Sequence, residues 1–202
     1  MTFISGNLCN LRVLQESEEE VRIWTAGVMG NLDLRYMATG SIPMRYIDAK
    51  EVWKKEREAG AVQFGIWLRE KRTYPPYENE EVYDEWMVGT CGLHAHKDIY
   101  RSWEFRILIF DPDAIGNGIG TEATKLTVDY CFARLNAHRC WLGVHADNIG
   151  AIKCYKKVGF KEEGRLREDL YAYGKYADAI LYGILEGEWR ELCKSSTPET
   201  GR

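Results

Sequence analysis

The segment Asp111–Glu122, reading DPDAIGNGIGTE, holds three alternating glycines, Gly116, Gly118 and Gly120. Without a Cβ in the way, backbone N–H groups in such a turn can converge on a close ligand. A strand-like run, Trp103–Phe110, precedes it, and a helical run, Thr121–Leu135, follows. The start of that helix adds its own N–H groups and the positive end of a dipole. The chemistry this suits is the binding of a pyrophosphate. A glycine-rich turn that binds nothing fits the same letters. Two other phosphate motifs are excluded. No Gly-Lys-Ser/Thr follows, and the third glycine of G-x-G-x-x-G, counted from Gly118, would fall at Ala123.

A second segment, Asp147–Phe160, reads DNIGAIKCYKKVGF. Asn148 can cap a helix there. Tyr155 lies seven residues on, two turns, so it projects from the same face. Gly159 and Phe160 stop the helix. Taken singly, Asn148 is a cap and Tyr155 a half-buried aromatic. His94 and His96 form H-x-H on one strand face, but no further ligands stand at metal-binding spacing, so no metal is expected. They read as structural or substrate-lining.

The elements that must position these residues follow from periodicity. Leu8–Leu14 reads as a first strand and Glu18–Met29 as a helix. A loop punctuated by Gly30, Asn31, Gly40 and Pro43 leads to a helix over about 48–59, with Asp48 as its cap and Val52 and Trp53 facing inward. Val62, Phe64, Ile66 and Leu68 alternate as in a half-buried strand, and Trp86–His94 forms the next. In Trp103–Phe110, Phe105, Ile107 and Ile109 share one face, and Glu104, Arg106 and Leu108 the other. Arg139–His145 is a strand, and strands around Arg165–Tyr173 and Ala179–Leu185 follow the 148–158 helix. Strand–helix–strand across Glu104–His145 implies a parallel pair. The fold class is α/β (mixed α+β): a twisted, mostly antiparallel sheet with one central parallel pair, flanked by helices.

The chain has 202 residues, 45% apolar and 29% charged, which suits a single globular domain over 1–202. Its net charge of −4 and the lack of a basic block exclude a nucleic-acid backbone as the expected partner. No run of about 18 apolar residues exists, so no membrane span is expected. The start of the chain has no basic, apolar leader, and the six cysteines form no C-x-x-C pair; both point to a reducing cytoplasm. Nothing in the sequence excludes a homodimer. Residues 194–202 read as a flexible tail and 71–85 as an inserted loop.

In order and spacing, D-P-x-x-x-G-x-G-x-G-T-E-A and D-N-x-x-A-I-x-x-Y-x-x-x-G-F resemble the acyl-CoA core of the GNAT superfamily of N-acetyltransferases. The stretch Val21–Tyr36, the pair GRLR (164–167) and YADAILY (176–182), and Glu188-Trp189 resemble the RimJ/RimL type. The resemblance runs through nearly the whole chain except 71–85. It implies an acetyl-CoA-dependent transferase acting on a primary amine, either a small molecule or a peptide terminus. It further implies that Ile115, Gly116, Asn117, Gly118, Ile119, Gly120 and Thr121 hold the pyrophosphate. Ile115 stands where Arg or Gln is usual, but most of the contact in such a loop is backbone N–H. Ile109 and Phe110 would end the strand that pairs with pantetheine. Asn148 would touch the pantetheine arm, and Tyr155 would protonate the leaving thiolate. Glu104 is the candidate base, acting through water; the alternatives are that it orients the substrate or pairs with an arginine. A non-catalytic acyl-CoA-binding sensor or interaction module is the competing reading.

Overall fold

The structure is a computed structural model describing residues 3–29, 46–69, 72–73, 82–83, 85–95, 98–172 and 174–196. Two compact units emerge. One takes Met1–Gly92 and Ile107–Ala123, the other Leu93–Arg106 and Thr124–Arg202.

The first unit begins with two short strands, β1 (Ile4–Ser5) and β2 (Asn10–Val13), paired antiparallel. Helix α1 (Glu18–Met29) follows, opened by a reciprocal cap. The Glu20 N–H donates to Ser17 Oγ at 3.2 Å, while Glu20 Oε2 accepts from the Ser17 N–H at 3.3 Å. Helix α2 spans Tyr46–Glu58, so Asp48 lies inside it and is no cap. Trp53 is buried as expected, but Val52 is 40% exposed: adjacent helical residues point about 100° apart, so only one can face the core. Strand β3 (Val62–Leu68) pairs antiparallel with β2, with Asn10 opposite Trp67 and Val13 opposite Phe64. Phe64 through Leu68 are all buried, so β3 is covered on both faces where the alternation suggested one. Arg72–Thr73 (β4) and Val82–Tyr83 (β5) form a separate antiparallel pair inside the expected loop. The rest of that loop, except Glu85, lies outside the described residues, as do Gly30–Pro43 and His96.

Strands β6 (Trp86–Ala95) and β7 (Ser102–Ile109) run through both units. In the first unit the strand order is β1-β2-β3-β6-β7. Its core gathers Leu14, Val21, Ile23, Trp24, Val28, Trp53, Trp67, Met87 and Phe110. In the second unit β7 is followed by β8 (Arg139–His145), β10 (Lys175–Leu185) and β9 (Lys161–Ala172). β7 and β8 are parallel, with Ser102 opposite Arg139, whereas β8–β10 and β9–β10 are antiparallel. Among the described residues the sheet is thus mixed and mostly antiparallel, with β7–β8 as its parallel pair.

Helix α3 (Ile119–Ala133) starts two residues before the expected point, and α4 covers Ile149–Val158. A helix that the sequence reading missed, α5 (Glu186–Ser196), closes the described chain. Its Trp189 stacks on Phe132 at 5.3 Å and donates from Nε1 to Asp129 at 2.7 Å. Lys194–Ser196, read as tail, belong to this helix. All six cysteines are free, and no described helix is long and apolar enough to cross a membrane.

Candidate active site

The glycine segment leaves the end of β7 with the N–H groups of Phe110 and Asp111 both donating to Val88 O, at 3.0 and 3.2 Å. Asp111 then folds the chain back. Its Oδ1 accepts from the Asp113 N–H at 2.9 Å and its Oδ2 from Trp86 Nε1 at 3.0 Å. This holds a 3-10 turn over Pro112–Ala114, with Pro112 in the first turn where its missing N–H costs nothing. Asn117 Nδ2 donates to Asp113 O at 2.8 Å, so that side chain braces the loop and leaves ligand binding to its backbone.

Gly116 and Gly118 have φ of +85° and +84°, a region that side-chain-bearing residues rarely adopt. A Cβ on Gly116 would meet nothing within 4 Å, so the loop's outer side is open. The first intrahelical bond of α3 runs from the Glu122 N–H to Gly118 O at 3.0 Å. The amides ahead of Glu122 therefore lie beyond the helix's own ladder, at its positive end. Ile119 is buried and can offer only backbone, while Ile115 is 61% exposed and offers no charge. Phe110 is packed against Gly27, where a Cβ would come within 2.5 Å of its ring. Ile109 lies beside Gly89, and a Cβ there would meet Leu108 O at 2.5 Å. These glycines let β7 sit close to its surroundings as it enters the loop.

In the second unit, Asn148 caps α4, with its Oδ1 accepting from the Ala151 N–H at 3.1 Å. Gly159 ends the helix in the left-handed region at φ +109°. Tyr155 is 7% exposed, its ring edge-on to Phe105 at 6.4 Å and to Phe160 at 6.0 Å. Its hydroxyl has no hydrogen-bond partner among the described residues. Burial first, and Cys154 second, push this phenol well above its ordinary range, so it stays protonated at any working pH.

Glu104 forms two hydrogen bonds with Arg106, Nε to Oε1 at 2.9 Å and Nη2 to Oε2 at 3.0 Å. The arginine-paired alternative is thus the arrangement present. Both residues lie on the face of β7 opposite Phe105, and therefore opposite the Tyr155 ring. His94, on neighbouring β6, is pushed down to about 4 by burial and then by Arg106, with Glu104 opposing, so its imidazole is neutral. No cluster of metal-ligating side chains occurs among the described residues. The sequence reading missed Asp111, Trp86 and Glu122 as holders of the loop. Only the position of Asp111 just before Pro112 signalled a turn.

Comparison with known proteins places these features in one family. The chain belongs to the acetyltransferase (GNAT) domain family, whose model matches residues 33–161, more than half of the sequence. The spermidine N(1)-acetyltransferase of Escherichia coli (strain K12) is 37% identical over 111 residues, 55% of this chain and 58% of that protein. The chain thus spans somewhat over half the length of that curated relative. Among solved structures, a chimera of the Vibrio cholerae spermidine N-acetyltransferase SpeG with hSSAT gives a TM-score of 0.71 at 24% identity, over 91% of this chain and 99% of that one. The ribosomal alpha-N-protein acetyltransferase RimL, solved with coenzyme A, gives 0.73 at 16% identity, over 92% and 98%. These two likenesses establish the shared fold.

Proposed function

We propose that the protein transfers the acetyl group of acetyl-CoA directly to a primary amine. The observation that carries this reading is the loop between β7 and α3. Its two left-handed glycines, open outer side and helix start fit a pyrophosphate through backbone donors. The family match from 33 to 161 draws on both compact units, which supports reading the chain as a single domain.

An alkylammonium has a pKa of about 10 and is no nucleophile until it loses a proton. The departing sulfur, in turn, needs a donor. Tyr155 fits that second need. Its hydroxyl is protonated and has no hydrogen-bond partner among the described residues, and its buried ring is fixed by Phe105 and Phe160. It is too weak an acid to serve as the base, because no phenolate forms at neutral pH. Asn148 keeps its amide nitrogen available for the pantetheine arm while its oxygen caps α4. On the opposite face of β7, Glu104 would have to release Arg106 before taking a proton, even through water. Held this way, the carboxylate is fixed in place, which suits orienting an acceptor better than taking its proton.

For the acceptor, the similarity to a spermidine acetyltransferase makes a polyamine the first compound to test. An N-terminal peptide amine follows, because RimL shares the fold. A higher-order assembly is the natural extension of the homodimer expectation, since one structural neighbour is described as dodecameric. The test is release of free thiol from acetyl-CoA across a panel of polyamines, amino sugars and peptide N-termini. Amine-dependent release supports the enzyme. A protein that acetyl-CoA stabilises against heat, yet that releases no thiol with any amine, is the sensor instead.

A further inference from the structure

The N-terminal segment is tied to the first turn of α3 by one side chain. Three consecutive amides, those of Asn7, Leu8 and Cys9, donate to the Glu122 carboxylate at 2.8, 2.7 and 2.8 Å. The Gly6 N–H donates to Cys9 O at 2.9 Å and closes the turn. A Cβ on Gly6 would lie 2.6 Å from Glu122 Oε2 and 2.8 Å from Cys9 O, so the turn requires glycine there. The Leu8 side chain comes within 3.3 Å of the place a Gly118 Cβ would take. Residues of this turn, with Asp113, Asn117 and Ile119, line a cavity of about 370 Å³. All of these residues belong to the first unit.

Glu122 also donates its own N–H to Gly118 O, the bond that starts α3. One residue thus fixes a carbonyl of the glycine loop with its backbone and the N-terminal turn with its side chain. Burial alone would raise this carboxyl's pKa, but the amides of Cys9, Leu8 and Asn7 outweigh it and hold the group below the ordinary range. Its charge is shared among fixed donors rather than presented bare beside an incoming pyrophosphate. Burial and the nearby carboxylate push the Cys9 thiol up to about 12, so it is no competing nucleophile.

We propose that Glu122 is a positioning residue for the cofactor loop, and that the Gly6–Cys9 turn it clamps is part of the scaffold giving the loop its affinity for coenzyme A. This rests on the reading that the pyrophosphate of acetyl-CoA binds in the Ile115–Thr121 loop. The test is titration of coenzyme A into the full chain and its variants. Glu122→Ala should weaken binding about tenfold to a hundredfold, the scale of losing charge-assisted hydrogen bonds. Gly6→Ala breaks the clamp from the other side and should act in the same direction, and the double variant should lose less than the product of the two. Glu122→Gln keeps the shape and one acceptor, so it should fall between parent and Glu122→Ala. The loss should appear in the KM for acetyl-CoA and not in that for the amine. In the unaltered protein, coenzyme A should slow amide hydrogen exchange at Asn7–Cys9 as well as in the loop. Folded Glu122→Ala that binds coenzyme A as the parent does overturns the proposal. So does loop protection that leaves Asn7–Cys9 unchanged. A parent that binds no coenzyme A overturns the pyrophosphate reading itself, which is a different result.

Discussion

The glycine loop and the surroundings of Tyr155 solve opposite problems. The loop is open to solvent at Gly116; the side chains of Asp111, Asn117 and Glu122 brace it, and Ile115 carries no charge. On the proposed function, what it offers a ligand is backbone. Around Tyr155 the chain is buried and aromatic, and what it offers is one hydroxyl. If the loop binds as proposed, the departure at Ile115 should be tolerable, because a loop that binds with N–H groups depends on its φ angles more than on side-chain identity. A hydroxyl held by packing depends on one residue.

The sharpest way to break this contrast is Gly118→Glu. The position has φ +84°, and the new carboxylate would stand in the loop proposed to hold the pyrophosphate. Like charge in a tight site, added to backbone strain, should weaken coenzyme A binding by more than about a hundredfold in protein that still folds. Calorimetric titration reads this directly. Affinity matching the parent's would place the pyrophosphate elsewhere.

Next in size is Tyr155→Phe, which keeps the ring against Phe105 and Phe160 and removes only the proton donor. Turnover should fall about tenfold to a thousandfold, with acetyl-CoA affinity nearly unchanged. The phenol of the parent is held above its ordinary range. Activity should therefore rise with pH as the amine deprotonates, with no loss from Tyr155 ionisation below about pH 10. A descending limb near pH 8 that disappears in Tyr155→Phe would contradict that assignment.

The reach of the sequence differs between the two regions for physical reasons. Glycines at fixed spacing and a tyrosine two turns from a cap are local patterns, and both were legible. The residues that hold the loop were not. Glu122 meets amides 113 to 115 positions away, and only folding brings them together. Arg106 was visible two residues from Glu104, but its pairing with that carboxylate became definite only with the strand's geometry. Strand β3 hid its double-sided burial because an alternating pattern also fits a strand whose second face carries Gly65 and Trp67. Helix α5 was missed because the resemblance drew Glu188 and Trp189 into the preceding hairpin.

Smaller effects sharpen the picture of the acceptor. If the Glu104–Arg106 pair orients a cationic amine, Glu104→Gln should raise the amine KM about three- to tenfold and leave the pH profile in place. If Glu104 is instead the base, the acid limb of the profile moves and turnover falls. The smallest effect belongs to the acidic segment 71–85. Replacing Glu78, Glu80 and Glu81 together with Gln should raise the amine KM only about twofold, and should weaken its salt dependence if those acids steer a cation. An unchanged KM and salt dependence would remove the segment from substrate recognition.

Acetyl transfer to an amine is most directly tested by single-turnover chemistry. Protein loaded with acetyl-CoA is mixed with a polyamine or the best amine from the panel, and free thiol and N-acetylated amine are quantified in the same sample. Equal amounts of both are expected, formed only when amine is present and much more slowly with Tyr155→Phe. Thiol released at the same rate without amine, or released with no acetylated product, would contradict it.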